Sequence, residues 1–107
     1  MQTDVLQGTL DMLILKALSL ETTHGWGIAQ HIKRLSRDIL QINHGSLYPA
    51  LQRLERKGLI AAEWGESENN RRAKFYTLTA DGRKYLGAET RDWQRFAAAV
   101  QMVMTSA

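Results

Sequence analysis

Apolar residues recur every three or four positions in four stretches of the chain, and this spacing predicts four helices. The stretches cover residues 9–20, 25–37 and 45–57, and a last one that begins after Thr79 and reaches about residue 104. In the third stretch the apolar stripe consists of Leu47, Ala50, Leu51 and Leu54. Each helix therefore has one face suited to a buried core.

Between the third and the last helix the pattern changes to that of β-strands. Residues 59–66 and 71–78 predict two strands joined by a polar turn at residues 67–70. Phe75 and Tyr76 favour a strand, and Asn69 and Asn70 tolerate left-handed backbone angles. Three helices, a hairpin and a fourth helix are the plan of a winged helix-turn-helix domain, mostly α with a small β-hairpin.

The ends of the third helix are marked in the sequence. Asn43, Gly45 or Ser46 can each serve as its N-cap, and Pro49 falls in the first turn, where its missing N–H costs little. Gly58 stands where a C-terminal glycine belongs. On either side of the second helix, residues 21–24 form a polar break and residues 38–44 a buried or strand-like link.

The charge is concentrated in one segment. The chain has 107 residues, with 14 basic and 11 acidic ones. Residues 24–58 alone contain six basic and two acidic residues, whereas residues 1–23 contain one and three. Such a distribution is typical of a surface that faces phosphates.

Composition also excludes several classes of protein. The chain lacks cysteine, so disulfides, thiol nucleophiles and thiolate zinc sites are excluded, and a reducing cytoplasm is expected. No apolar stretch approaches the ~20 residues of a membrane span, and we expect no signal peptide, since no basic region precedes an apolar run at the N-terminus. His24, His31 and His44 lack the spacing and companions of a metal site. No catalytic motif appears, so we expect neither an enzyme nor a cofactor.

The outward face of the third helix, within residues 45–58, is the first candidate site. Arginine can contact guanine and glutamine adenine, and hydroxyls suit phosphates. The same face is also compatible with an ordinary solvated helix. The candidate residues for DNA binding here are Ser46, Tyr48, Pro49, Gln52, Arg53 and Arg56.

The hairpin tip, residues 66–74, is the second candidate. Its basic residues can grip a phosphate backbone or enter a minor groove. A charged turn that only keeps the sheet edge soluble is the alternative. We prefer a DNA-binding wing because helix and hairpin follow in the right order. Its candidate residues are Asn70, Arg71, Arg72 and Lys74.

The last helix carries an apolar stripe that so small a domain cannot cover alone. Burial against a second copy would form a homodimer, with two recognition helices about 34 Å apart. Trp93 either packs at that interface or lines a cavity for a planar ligand. The first helix is apolar on a second side, which indicates either a partner there or one broad core face. The candidates for interface or effector are Met12, Leu15, Trp93, Phe96 and Val100.

Residues 7–86 resemble the PadR family of transcriptional regulators. The blocks that carry the resemblance are dense and in order, although Trp26 stands where the family often has tyrosine. They are Gly8-Thr9-Leu10, Gly25-Trp26-Gly27-Ile28, Gly45-Ser46-Leu47-Tyr48-Pro49-Ala50-Leu51, Arg53-Leu54-Glu55, Gly58-Leu59-Ile60, Arg71-Arg72-Ala73-Lys74-Phe75-Tyr76, Leu78-Thr79 and Gly82.

The resemblance implies a homodimeric winged-helix repressor of promoter DNA. It assigns DNA contacts to Ser46, Tyr48 and Pro49 and to the wing pair Arg71 and Arg72. It also implies a small aromatic effector bound near Trp93, between the two last helices. We accordingly divide the chain into a DNA-binding domain at residues 1–78 and a dimerisation helix at residues 79–107. A winged-helix module that binds an acidic protein instead of DNA is the alternative.

Overall fold

The computed structural model describes residues 3–4 and 7–107, with side chains described from residue 9 onward. Residues 1, 2, 5 and 6 of the predicted DNA-binding domain lie outside the described residues. Helices and strands alternate before the hairpin. In chain order they are β1 (Thr3–Asp4), α1 (Gln7–Leu20), β2 (Thr23–His24), α2 (Gly25–Leu35), β3 (Leu40–Gln41), α3 (His44–Arg56), β4 (Ile60–Glu66), β5 (Arg72–Leu78) and α4 (Ala80–Met104).

The predicted hairpin is confirmed, and a short third strand extends it. β4 pairs with β5 in antiparallel register from Ile60 opposite Leu78 to Glu66 opposite Arg72. β2 joins the other edge of β5, so the sheet order is β2-β5-β4. The polar break predicted at residues 21–24 thus contains a strand, which is too short to leave an alternating pattern in the sequence. The strand-like link predicted at 38–44 contains β3, which pairs in parallel with β1.

Local signals at the helix ends hold, with small shifts in the boundaries. Asn43 caps α3 by accepting a hydrogen bond from the Gly45 amide at 2.7 Å. Gly58 follows α3 with a φ of +75°, which only glycine adopts without strain. α2 ends at Leu35, before the predicted residue 37, and Arg37 and Asp38 beyond it have left-handed φ angles of 54° and 66°. α4 begins directly after Thr79, as predicted, and Thr79 caps it by accepting a hydrogen bond from the Gly82 amide.

The core lies where α1, α2 and α3 meet the sheet and the first turns of α4. Leu86 is the α4 side chain buried there, and α4 approaches closely because Gly82 has no side chain. A Cβ at Gly82 would lie 1.9 Å from the Leu59 carbonyl oxygen. The core residues with almost no exposure are Leu10, Ile14, Leu15, Ile28, Leu47, Leu51, Leu54 and Ile60.

Leu15 and Met12, the α1 residues predicted to face a partner, differ in burial. Leu15 is fully buried within its own chain, because α1 contacts α2, α3, β5 and α4. The prediction that Leu15 faces a partner or an effector is therefore wrong, and α1 has one broad core face. Met12 is only partly buried against this core. Among the described residues, none of the helices combines the length and apolarity that a membrane crossing requires.

Candidate nucleic-acid interface

Helix α3 has a buried face and an exposed face opposite to it. Its buried face is the predicted stripe, centred on Leu47 and Leu51. With 3.6 residues per turn, the opposite face carries Pro49, Gln52 and Arg56, all of which are exposed. This face is open to solvent and carries the polar side chains of Gln52 and Arg56.

One flank of α3 meets the start of α2 through Tyr48. The Tyr48 ring stacks on His44 at 6.1 Å between centroids. It also lies across Gly25, where a Cβ would come within 3.0 Å of the ring atom Cε1. The ring is half exposed all the same. Tyr48 is therefore held at the surface, with its hydroxyl beside the N-terminus of α2.

The hairpin of β4 and β5 ends in the predicted wing, residues 66–74, and two of the wing cations, Arg72 and Lys74, are held by specific contacts. Trp64 lies opposite Lys74 on the neighbouring strand, and Arg72 is on the same face of the sheet. The Arg72 guanidinium carbon lies 5.1 Å from the centre of the Trp64 ring, in a cation–π contact. Lys74 Nζ lies 3.3 Å from Glu55 Oε1 on α3. The contact with Glu55 ties Lys74 to α3, whereas the contact with Trp64 holds Arg72 on the hairpin itself.

A groove of about 860 Å³ runs between α3, the wing and the start of α2. It brings together five of the predicted DNA-binding residues from two separate elements. The groove also contains one acidic side chain, Glu68. Its principal lining residues are Trp26, Tyr48, Gln52, Trp64, Arg71, Arg72 and Lys74.

His24 organises one end of this groove, and sequence reasoning missed this role. Its Nδ1 accepts a hydrogen bond from the Gly27 amide at 3.0 Å and so caps α2. Its ring packs edge-on against Phe75 at 5.3 Å, and Nε2 lies 3.6 Å from Glu68 at the wing tip. A hydrogen bond from the backbone of Glu68, and after it the nearby His24 side chain, lower the pKa of the Glu68 carboxyl. The residues usually preferred at an N-cap are Asn, Asp, Ser, Thr and Gly, so His24 carried no ordinary sequence signal for this cap.

Arg53 is separated from the groove. Its Nη2 lies 2.6 Å from Asp11 Oδ1 and its Nε 3.4 Å from Asp11 Oδ2, on the α1 side of α3. Ser46 lies two turns earlier on this flank and is exposed. Asn70 is exposed at the wing tip with a φ of 58°, outside the groove lining.

The second half of α4 exposes a continuous apolar surface. Trp93 and Phe96 are in ring contact at 6.1 Å, and Phe96 is 62% exposed. Val100 continues this face one turn later. Closer to the core, burial raises the pKa of Tyr85, and the carboxylates of Glu89 and Asp11 raise it further. The described residues contain no group of three or more His, Cys, Asp and Glu side chains that could hold a metal ion.

Comparison with known proteins gives a consistent result. The family model of the transcriptional regulator PadR-like family matches residues 14–88. A protein of Lysinibacillus sphaericus without an assigned function is 29% identical over 103 residues, which cover 96% of this chain and 94% of that protein.

Several solved structures are similar to this chain in fold over most of its length. A Streptococcus mutans protein is 31% identical with a TM-score of 0.83, covering 97% of this chain and 93% of that one. A PadR-like transcription factor from Bacteroides fragilis is 31% identical with a TM-score of 0.73, covering 91% of each chain. A transcriptional regulator from Clostridium thermocellum is 27% identical with a TM-score of 0.81, covering 90% and 93%.

Proposed function

Because the chain belongs to the PadR-like family of transcriptional regulators, we propose that it is a sequence-specific DNA-binding protein that acts as a homodimeric repressor. The groove between α3 and the wing carries this proposal, since Gln52 and Tyr48 on one wall face Arg71, Arg72 and Lys74 on the other. The recognition helix, residues 45–58, enters the major groove. The wing, residues 66–74, lies on the backbone or in the minor groove.

Position on α3 separates base contacts from phosphate contacts. Gln52 stands in the middle of the exposed face and can form two hydrogen bonds with N6 and N7 of an adenine in the major groove. Ser46 and Pro49 lie in the first turns, where a recognition helix approaches bases. Arg56, in the last turn, is nearer the backbone. Phosphate contacts by the wing then fix the register in which Gln52 meets a base.

The exposed apolar surface of α4 supports the proposed homodimer. The dimerisation helix, residues 79–107, leaves Trp93, Phe96 and Val100 exposed on one face. Burial of this face against its copy around a two-fold axis would cover all three side chains and place two recognition helices on one DNA face. Met12, partly exposed on α1, is included in the same interface.

We also propose a small aromatic effector that relieves repression. The ring pair Trp93 and Phe96, duplicated by the two-fold axis, would form an aromatic cavity between the two α4 helices. Quenching of tryptophan fluorescence by planar aromatic compounds, lost in Trp93→Ala, tests it. Binding without any change in DNA affinity would contradict the effector role, because regulation requires different affinities in the two states.

The decisive experiment is titration of the upstream DNA of the protein's own gene, at several salt concentrations, against a scrambled duplex. A specific binder prefers its own sequence, and its log affinity falls linearly with log salt. Arg71→Ala should weaken binding to both duplexes and flatten the salt dependence. Gln52→Ala should cost about 1–3 kcal/mol on the specific duplex only. Arg34→Ala, an exposed cation of α2 outside the groove, is the matched control. Equal affinity for both duplexes would refute sequence-specific binding.

A further inference from the structure

We propose that Asp11 withholds Arg53 from the DNA, so that Arg53 positions the recognition helix instead of contacting bases or phosphates. Neutralising Asp11 would then add Arg53 to the phosphate contacts. This inference rests on the proposed function, because it concerns how the same helix meets DNA.

The geometry of the pair supports a fixed contact. Two nitrogens of one guanidinium approach the two oxygens of one carboxylate, at 2.6 and 3.4 Å. The side chains of Arg53 and Asp11 are only 28% and 21% exposed. Two-point arginine–carboxylate contacts restrict both orientation and distance, and partly buried charges are less screened by salt than exposed ones.

The position of the Asp11–Arg53 pair indicates that it orients α3 relative to α1. Asp11 belongs to α1, whose core face is fixed, while Arg53 follows Gln52 directly on α3. A contact between α1 and Arg53 therefore sets the rotation of α3 about its own axis. With Arg53 turned to α1, the exposed face is left to Gln52 and Arg56.

The charges around the pair oppose its opening. In the part of the chain with described side chains, Arg53 is the cation that pairs with Asp11. Moving Arg53 to a phosphate would leave Asp11 partly buried without its partner, near the Tyr85 hydroxyl of α4, which the Glu89 carboxylate also approaches. An unpaired, partly buried carboxylate is unfavourable. A DNA phosphate therefore competes poorly for Arg53 with the Asp11 carboxylate, which already contacts it.

The test measures how log affinity depends on log salt for the own-promoter duplex and for a scrambled one. Asp11→Asn keeps the shape of the side chain and removes its charge. Each phosphate contact contributes about 0.9 to the slope. We expect Asp11→Asn to steepen the slope by about 0.9 per protomer and to lower the ratio of specific to scrambled affinity. Arg53→Ala should leave the slope unchanged, and Asp11→Asn combined with Arg53→Ala should return it to the wild-type value.

Two results would overturn the inference. One is a slope flattened by about 0.9 per protomer in Arg53→Ala, because Arg53 would then contact a phosphate in the wild type. The other is an unchanged slope in folded Asp11→Asn. The Arg53→Ala measurement decides the question even if Asp11→Asn fails to fold. If the wild-type protein shows no salt-dependent DNA binding, the proposed function itself fails. If the wild type binds DNA and one of these two results is obtained, only the role of Asp11 and Arg53 fails. The two failures are therefore distinguishable.

Discussion

The ring of Tyr48 on the recognition helix lies directly over Gly25, the first residue of α2. Tyr48 ring atoms stand 3.0 to 3.3 Å from the position that a Cβ on Gly25 would occupy. The glycine of one predicted family block thus makes room for the tyrosine of another. This contact fixes where the Tyr48 hydroxyl meets the groove.

Gly25→Ala should displace the Tyr48 ring and weaken DNA binding several-fold. Stability should stay within about 1 kcal/mol of wild type, because alanine suits a helix better than glycine and the half-exposed ring can move. Fluorescence anisotropy with the promoter duplex and a urea titration measure the two quantities. In a Tyr48→Ala background the same change should have no further effect on affinity. A persisting loss there would show that Gly25 acts independently of Tyr48.

Trp64→Ala should weaken DNA binding by releasing Arg72 from its cation–π contact. At an exposed site such a contact contributes about 0.5–1 kcal/mol, equivalent to roughly a two- to five-fold change in affinity. A double-mutant cycle with Arg72→Ala, measured by duplex titration, checks this coupling. Trp64→Phe keeps an aromatic face and should retain part of the affinity. Strictly additive effects of the two alanine changes would rule out the coupling.

Gly82→Ala should destabilise the fold, whereas Gly87→Ala in the same helix should not. The new Cβ at Gly82 would clash with the backbone carbonyl of Leu59, which cannot rotate away. Overpacking of this kind costs about 1–3 kcal/mol or more. At Gly87 the nearest atom is the flexible Arg91 Nη1 at 3.6 Å, and alanine should stabilise the helix by up to about 1 kcal/mol. Urea unfolding of both variants tests the contrast, and equal free energies of unfolding would contradict it.

The stability of the folded state should decline at alkaline pH because of Tyr76. Burial raises the pKa of this tyrosine above its usual value of 10.0, and Glu55 and Tyr48 raise it further. A group that holds its proton more tightly when folded contributes full stability below its unfolded pKa and loses it as pH rises through the folded one. The free energy of unfolding should therefore fall above about pH 10. In Tyr76→Phe this fall should be smaller. A pH profile identical to that of wild type would contradict the assignment.

Phe96→Asp should dissociate the proposed dimer while leaving each chain folded. Phe96 is exposed on a single chain, so the substitution leaves the core intact. In a dimer it would bury an unpaired charge at a cost of about 3 kcal/mol or more, roughly 100-fold in the dimer dissociation constant. Sedimentation velocity measures the mass, and duplex titration should show weaker binding. Ala98→Asp, on the opposite side of α4, is the control and should stay dimeric. A monomeric wild-type protein would refute the dimer itself.

Local features were readable from the sequence because neighbouring residues cause them. Helical spacing located all four helices, Asn43 and Gly58 marked the ends of α3, and the turn at Asn70 separated the two strands. The wing cations Arg71 and Arg72 were equally visible, since their place in the hairpin depends only on nearby residues. The fold class and the cationic surface were thus determined by the sequence alone.

Only the tertiary structure decided what each face of these elements meets. Helical spacing places the apolar Leu15 on a second side of α1 and places Arg53 off the buried stripe of α3. It does not say which residues pack against either side chain. Leu15 is buried because α1 is surrounded by its own chain, and Arg53 meets a carboxylate 42 residues away. β2 forms because its two residues pair with the free edge of β5. Two residues are too few to show the alternating pattern of a strand in the sequence. Contacts between residues distant in sequence depend on the assembled packing, which local periodicity does not encode.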